Sequence, residues 1–220
     1  MDDAGLGVDG VPCGGGPVAS SQAALRPLTD AIREARSKQA ALPPDAAPKE
    51  QLEAVLALDQ RPLIAMHHVD LSGLSPEDRT AARAEADAQL KAISDETVRT
   101  VLSLVPEDGW FSGKVYGEEA AQGAFLVVQH ADTALQKRFL PAIRTMSERG
   151  ETPRWQYAMM HDRVAVGEGR PQRWGTQMQC VNDRMVPAPT EDPDRLEERR
   201  APMGFRWPNY EAYLANFGAC

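Results

Sequence analysis

The chain has 220 residues, 42% hydrophobic and 25% charged, which is enough to bury one good core; its net charge of −8 argues against a general nucleic-acid binder. No stretch approaches the roughly eighteen consecutive apolar residues of a membrane span. The opening, M-D-D-A-G-L-G-V-D-G, is acidic and glycine-rich where a secretory leader is basic and then apolar, so a cytoplasmic address is expected, with export after loss of a leader as the alternative.

Residues 1 to about 18 are glycine-rich and expected to be disordered, leaving residues 19–220 as one helical domain. From Ser21, Leu25, Leu28, Ile32 and Ala35 recur at helical spacing with Pro27 in the first turn, and Leu42-Pro43-Pro44-Asp45 ends the run. Pro48 to Asp59 predicts a short second helix, Leu52, Val55 and Leu56 inward, closed by Pro62. The following stretch, with His67 and His68, reads as an irregular loop. Adjacent histidines point in different directions and make a poor metal pair.

Ser75-Pro76-Glu77-Asp78 combines a cap, a first-position proline and acid in the first turn, so a helix starts there. It carries Ala82, Ala86, Leu90 and Ile93, and a break near Ser94-Asp95 is expected before Val98, Val101, Leu102 and Val105. Trp110 to Tyr116 reads as a loop.

Gly117 to Asp132 is the most apolar run of the chain. Ala120, Ala121, Ala124, Phe125 and Val128 form one helical face, and Gly123, Leu126 and Val127 form a second, with His130 on it. A helix apolar on two faces must be buried on both, so this one is expected at the centre of the domain. Its C-terminal end delivers Gln129, His130 and Asp132 to the margin of the core.

Leu135, Phe139, Ile143 and Met146 mark the next helix, with Pro141 inside it; Gly150 stops it, Thr152 caps the next and Pro153 opens that one. Trp155, Met159 and Val166 share a stripe with Asp162, and Arg163 is adjacent. Gln172 to Val181 reads as a strand, turning at Asn182-Asp183 into Met185-Val186-Pro187. Asp192-Pro193 begins a helix stopped at Gly204, and Asn209 caps a last short one. The fold class is therefore mainly α, with one β-hairpin near residues 172–187.

Cys13, Cys180 and Cys220 are odd in number and far apart, without a C-x-x-C pair. Free thiols are expected. The charge is uneven: residues 133–180 hold eight basic and four acidic residues, +4, which leaves −8 − 4 = −12 for the rest. That region could attract a small anion, the plainer alternative being a solvated face paired with acidic helices.

No P-loop, dinucleotide-binding glycine pattern, H-E-x-x-H or serine elbow is present, and no motif calls for a cofactor or a metal. What remains is a set of side chains. His130 can carry a proton, with Asp132 to orient it; Arg163 can clamp an anion. Gln129, Asp162, Gln172, Thr176 and Gln177 would line the pocket. The competing reading of each is structural: a satisfied core histidine, an ion pair tying a helix to the hairpin, surface glutamines.

The segments Gln129-His130-Ala131-Asp132, Asp162-Arg163-Val164, Gly169-Arg170-Pro171-Gln172 and Gly175-Thr176-Gln177 resemble an uncharacterised bacterial domain family marked by Q-H-A-D and Y-G-T-Q motifs. Leu58-Asp59-Gln60-Arg61 is similar to its early D-Q element. Gly109-Trp110, Val115-Tyr116-Gly117, Glu191-Asp192-Pro193, Arg199-Arg200 and Gly204-Phe205 fit its remaining pieces, so the likeness covers roughly residues 50–217. Trp174 stands where the family has tyrosine, and the His67-His68 loop resembles an insertion. The resemblance implies that the polar segments belong together, without supplying a reaction.

Two functions follow. One is a small enzyme, of hydrolase or lyase type, using His130 for acid–base chemistry on a small anionic or amide-containing substrate. The other is a non-catalytic ligand-binding or interaction module, in which the same side chains are structural. Full enclosure of His130, with both ring nitrogens bonded to protein, would remove the first.

Overall fold

The computed structural model describes residues 17–220. The expected disorder of residues 1–18 falls outside them up to residue 16, as does Cys13. The chain is built of helices α1 (Pro17–Ala24), α2 (Arg26–Ala40), α3 (Pro48–Met66), α4 (Pro76–Leu104), α5 (Gly113–Tyr116), α6 (Glu118–His130), α7 (Thr133–Glu148) and α8 (Arg154–Gly167). The hairpin strands β1 (Met178–Val181) and β2 (Arg184–Pro187) follow, then the short helices α9 (Leu196–Arg200) and α10 (Tyr210–Leu214). Mainly α with one two-stranded antiparallel hairpin is the fold class the periodicity predicts.

α6 is buried on both faces. Ala120, Ala124, Phe125 and Val128 are fully enclosed, with Gly123 and Val127 on the second side. Trp110, Phe111, Phe139, Ile143 and Met160 complete the main core, with Trp110 edge-on to Phe111 at 5.7 Å and against Phe139 at 5.3 Å. A smaller cluster joins Leu25 and Leu28 to Ala82 and Ala86 of α4.

The approach of α6 to α3 is set by Gly123. A Cβ there would stand 2.8 Å from the Leu52 carbonyl oxygen and 3.0 Å from the Leu56 Cβ. Any side chain would force the two backbones apart. Leu52 to Asp59 and Gly123 to His130 are the same seven-residue step, about two helical turns. The parallel helices therefore carry Asp59 to His130 in the same contact row.

Several expectations are corrected. α3 does not close at Pro62 but runs through it to Met66. Pro62 is itself buried beside Leu58 and Ala65, and this packing outweighs the one backbone hydrogen bond a proline cannot make. α4 does not break at Ser94-Asp95: Ile93, Thr97 and Val101 continue one buried stripe, and Lys91 pairs with Asp95 across the proposed break. Trp110 to Tyr116 is not an open loop, since Trp110 and Phe111 are core residues and Gly113–Tyr116 forms a helical turn. The cap of α8 is Pro153 rather than Thr152.

The strand expected over 172–181 is confined to Met178–Val181. Upstream of it, the backbone N–H groups of Arg173, Trp174 and Thr176 turn toward the Asp162 carboxylate instead of a neighbouring strand. Asn182 and Asp183, with φ of 50° and 61°, make the tight two-residue turn of the hairpin.

The free thiols are corrected too. Cys180 and Cys220 form a disulfide, their Cα atoms 5.9 Å apart. The C-terminal residues lie alongside the hairpin, where the Met185 N–H donates to the Gly218 carbonyl and the Cys220 N–H to that of Asp183. A separation of 40 residues gives no local signal of this pairing.

Candidate functional site

His130 is the last residue of α6, and Asp59 sits on the inward face of α3. The His130 Nδ1 lies 3.0 Å from Asp59 Oδ2 and 3.3 Å from Oδ1. Gln60 Nε2 donates to the same Oδ2 at 2.6 Å. The Asp59 side chain is 6% exposed and that of His130 29%, so a buried carboxylate anchors an imidazole whose far edge reaches solvent. Among the described residues no protein group hydrogen-bonds Nε2. With the Nδ1 proton donated to Asp59, the neutral ring carries its acceptor lone pair on Nε2.

Asp132 is not the carboxylate that orients His130. It caps α7, its Oδ1 accepting the Leu135 N–H at 2.8 Å, because the chain turns sharply between two helices there and an N-terminal amide needs a partner. Gln136, one turn into α7, reaches back to the Gln129 and Ala131 carbonyls at 2.9 and 2.8 Å. Arg163 Nη1 donates to the Gln129 carbonyl at 3.1 Å. The orphan carbonyls of α6 are thus held by a glutamine and a cation, the charge favoured at a helix C-terminus. Gln129 itself is buried, and its side-chain oxygen has no partner among the described residues. Burial pushes the Arg163 guanidinium down from its ordinary value, against the opposing charge of Tyr213.

The third group is a knot. Asp162 is fully buried and accepts from the backbone N–H groups of Arg173, Trp174 and Thr176 and from the Thr176 hydroxyl, at 2.7 to 3.1 Å. Gln172, also fully buried, donates to the Gln177 and Ala188 carbonyls and accepts the Gln177 N–H. The Gln177 amide donates to the Thr176 hydroxyl. Gly175 is required because a Cβ would meet the Tyr210 ring at 2.8 to 2.9 Å. The Trp174 ring N–H donates to the Arg199 carbonyl at 3.2 Å.

Two concavities meet at Arg163. An open groove of about 870 Å³ is lined by Asp59, His130, Asp132, Ser94, Lys91 and Arg163, among others. On the other side lies a cavity of about 640 Å³ that includes Thr176 and Gln177. His130, Asp132 and Arg163 therefore share one site, Arg163, Thr176 and Gln177 share another, and Asp162 and Gln172 are sealed within the protein. Asp59 and Gln60 were not singled out as site residues, although the D-Q element contains both. Asp59 lies four residues past Val55 on the inward face of α3, and a carboxylate on an apolar stripe requires a partner. Among the described residues no three His, Cys, Asp or Glu side chains are grouped to hold a metal ion, and no helix is long and apolar enough to cross a membrane.

No curated protein and no solved structure matches the chain. The model of DUF6624, a family of unknown function, matches residues 60–218, and the chain belongs to that family.

Proposed function

We propose that the groove beside α6 is the site of a small hydrolase- or lyase-type enzyme acting on a small anionic or amide-containing substrate. His130 Nε2 takes and returns the proton. Asp59 fixes the ring orientation and stabilises the imidazolium as it forms, the part first assigned to Asp132. The single observation that supports this is the asymmetry of the imidazole: Nδ1 is bonded to a buried carboxylate, while Nε2 has no protein partner among the described residues, on a partly exposed ring that lines a groove. Arg163 and Arg99 line the groove and supply positive charge, Lys91 being paired with Asp95, and Ser94 supplies a hydroxyl.

The alternative, a non-catalytic module, draws on the Asp162 and Gln172 knot, where the polar residues serve the fold. A panel of chromogenic esters, amides and phosphoesters separates the two. The wild type should turn over at least one class, and His130→Gln and Asp59→Asn should lose roughly 10²–10⁴-fold in rate while melting cooperatively. Equal rates for wild type and His130→Gln across the panel would remove the enzyme. The Cys180–Cys220 bond favours an oxidising compartment as the place of action over the cytoplasm.

A further inference from the structure

The second cavity has a composition that the groove lacks. Its walls are the aromatic and thioether side chains of Trp155, Met159, Met178, Met185, Trp207 and Phe217, and the charged residues lining it are Arg163, Arg200 and Arg206, with no carboxylate in the lining itself. None of the three arginines has a salt-bridge partner among the described residues, whereas Lys137, Arg144, Arg170 and Arg173 all pair with glutamates.

Arg200 makes the point most sharply. It is 5% exposed, stacks over Phe205 at 4.2 Å, Tyr210 at 4.9 Å and Tyr213 at 5.1 Å, and donates through Nη1 to the Trp174 carbonyl at 2.6 Å. Burial pushes its guanidinium down, with the charge of Glu197 opposing the shift only in part. The Arg163 Nε is buried with no partner among the described residues. A buried cation costs free energy unless an anion or hydrogen bonds compensate it, and such a cost is retained where a ligand brings the anion. Apolar walls with a few convergent polar groups are the general description of a small-molecule pocket, and Met side chains adapt to varied apolar shapes.

We infer that this cavity binds an amphiphilic carboxylate, with the apolar body among the tryptophans and methionines and the carboxylate against Arg200 and Arg163. The site is separate from the proton-carrying groove and shares only the Arg163 wall with it, so it does not depend on the enzyme reading.

Decanoate is the probe, titrated below its micelle concentration into the full chain with the disulfide intact. Binding is read as quenching of the tryptophan fluorescence to which Trp155 and Trp207 contribute, and as a rise in melting temperature. Decanoate should saturate; decanol, which lacks the charge, and acetate, which lacks the body, should not. Arg200→Gln should weaken decanoate roughly ten-fold or more, the equivalent of one charge-assisted hydrogen bond. Because Arg200 also holds the Trp174 carbonyl, Met159→Trp is the second variant: it fills the cavity from a partly exposed position and should abolish saturation. His130→Gln should bind decanoate as the wild type does. Decanol binding as tightly as decanoate, no saturation by decanoate, or unaltered decanoate binding by Met159→Trp would each overturn the assignment.

Discussion

Two buried carboxylates, one on α8 and one on α3, are used in opposite ways. Asp162 on α8 spends both oxygens on three backbone amides and one hydroxyl, all belonging to the segment that follows it. Asp59 on α3 bonds the imidazole of His130, 71 residues away, and the second nitrogen of that partly exposed ring has no partner among the described residues. The first carboxylate is a fastener whose donors all belong to the segment it fastens. The second is bonded to a group with a free valence. Burial and hydrogen bonding are common to both, so neither distinguishes a site from a structural knot; what lies on the far side of the partner does.

The widest separation between the two should appear in paired variants. His130→Gln should cost roughly 10²–10⁴-fold in turnover of any substrate found, and its urea unfolding midpoint should stay near the wild type. Asp162→Ala should do the reverse to the fold. Four donors lose their acceptor, each orphan costing about 1–3 kcal/mol, so a loss of roughly 3–5 kcal/mol after relaxation is expected in urea unfolding. A mild effect there would make Asp162 something other than a fastener.

Gly123→Ala sharpens the contrast from a distance. Overpacking against the Leu52 carbonyl should cost about 1–3 kcal/mol and move α6 off α3. Because the same contact row carries Asp59 to His130, the variant should lose activity beyond its loss of stability, with the imidazole resonances of His130 shifted in NMR. Wild-type resonances would show that the two contacts are independent.

The smallest effect expected is at Tyr213, whose hydroxyl donates to the Thr176 carbonyl at 2.7 Å beside the Asp162 knot. Burial pushes its phenol from 10.0 up to about 12, with Arg200 opposing and Tyr210 and Asp162 reinforcing. A pKa raised in the fold favours the protonated form there. Its stabilising contribution is therefore full below about pH 10 and is lost as pH climbs toward 12. Tyr213→Phe should cost about 1 kcal/mol at neutral pH and flatten that alkaline decline in thermal melts. A decline equally steep in the variant would assign it to another group.

The helical class, the central burial of α6 and the caps at Ser75 and Asn209 were legible because each is a local pattern of spacing or side-chain type. The breaks expected at Pro62 and at Ser94-Asp95 did not form, since local propensities there are overridden by buried stripes that continue across them. The strand expected from Gln172 failed for a related reason: a carboxylate ten residues upstream captured its amides. Within the site, His130 and Arg163 reached a common groove. The orienting carboxylate was read as Asp132, two residues along, when the geometry supplies Asp59 from another helix. Sequence proximity favours caps; partners of side chains at helix ends come from whatever element the core packs against them.

The bond between Cys180 and Cys220 has a consequence for the cavity beside it. Phe217, Met178 and Met185 line the apolar cavity from elements on either side of that sulfur bridge. Cutting the bridge leaves the last residues held by a few backbone contacts, so the roof of the cavity becomes a flap with one loose corner. A mild reductant should therefore loosen this wall well before it unfolds the helices, which hydrogen exchange at residues 215–220 with and without reductant would read.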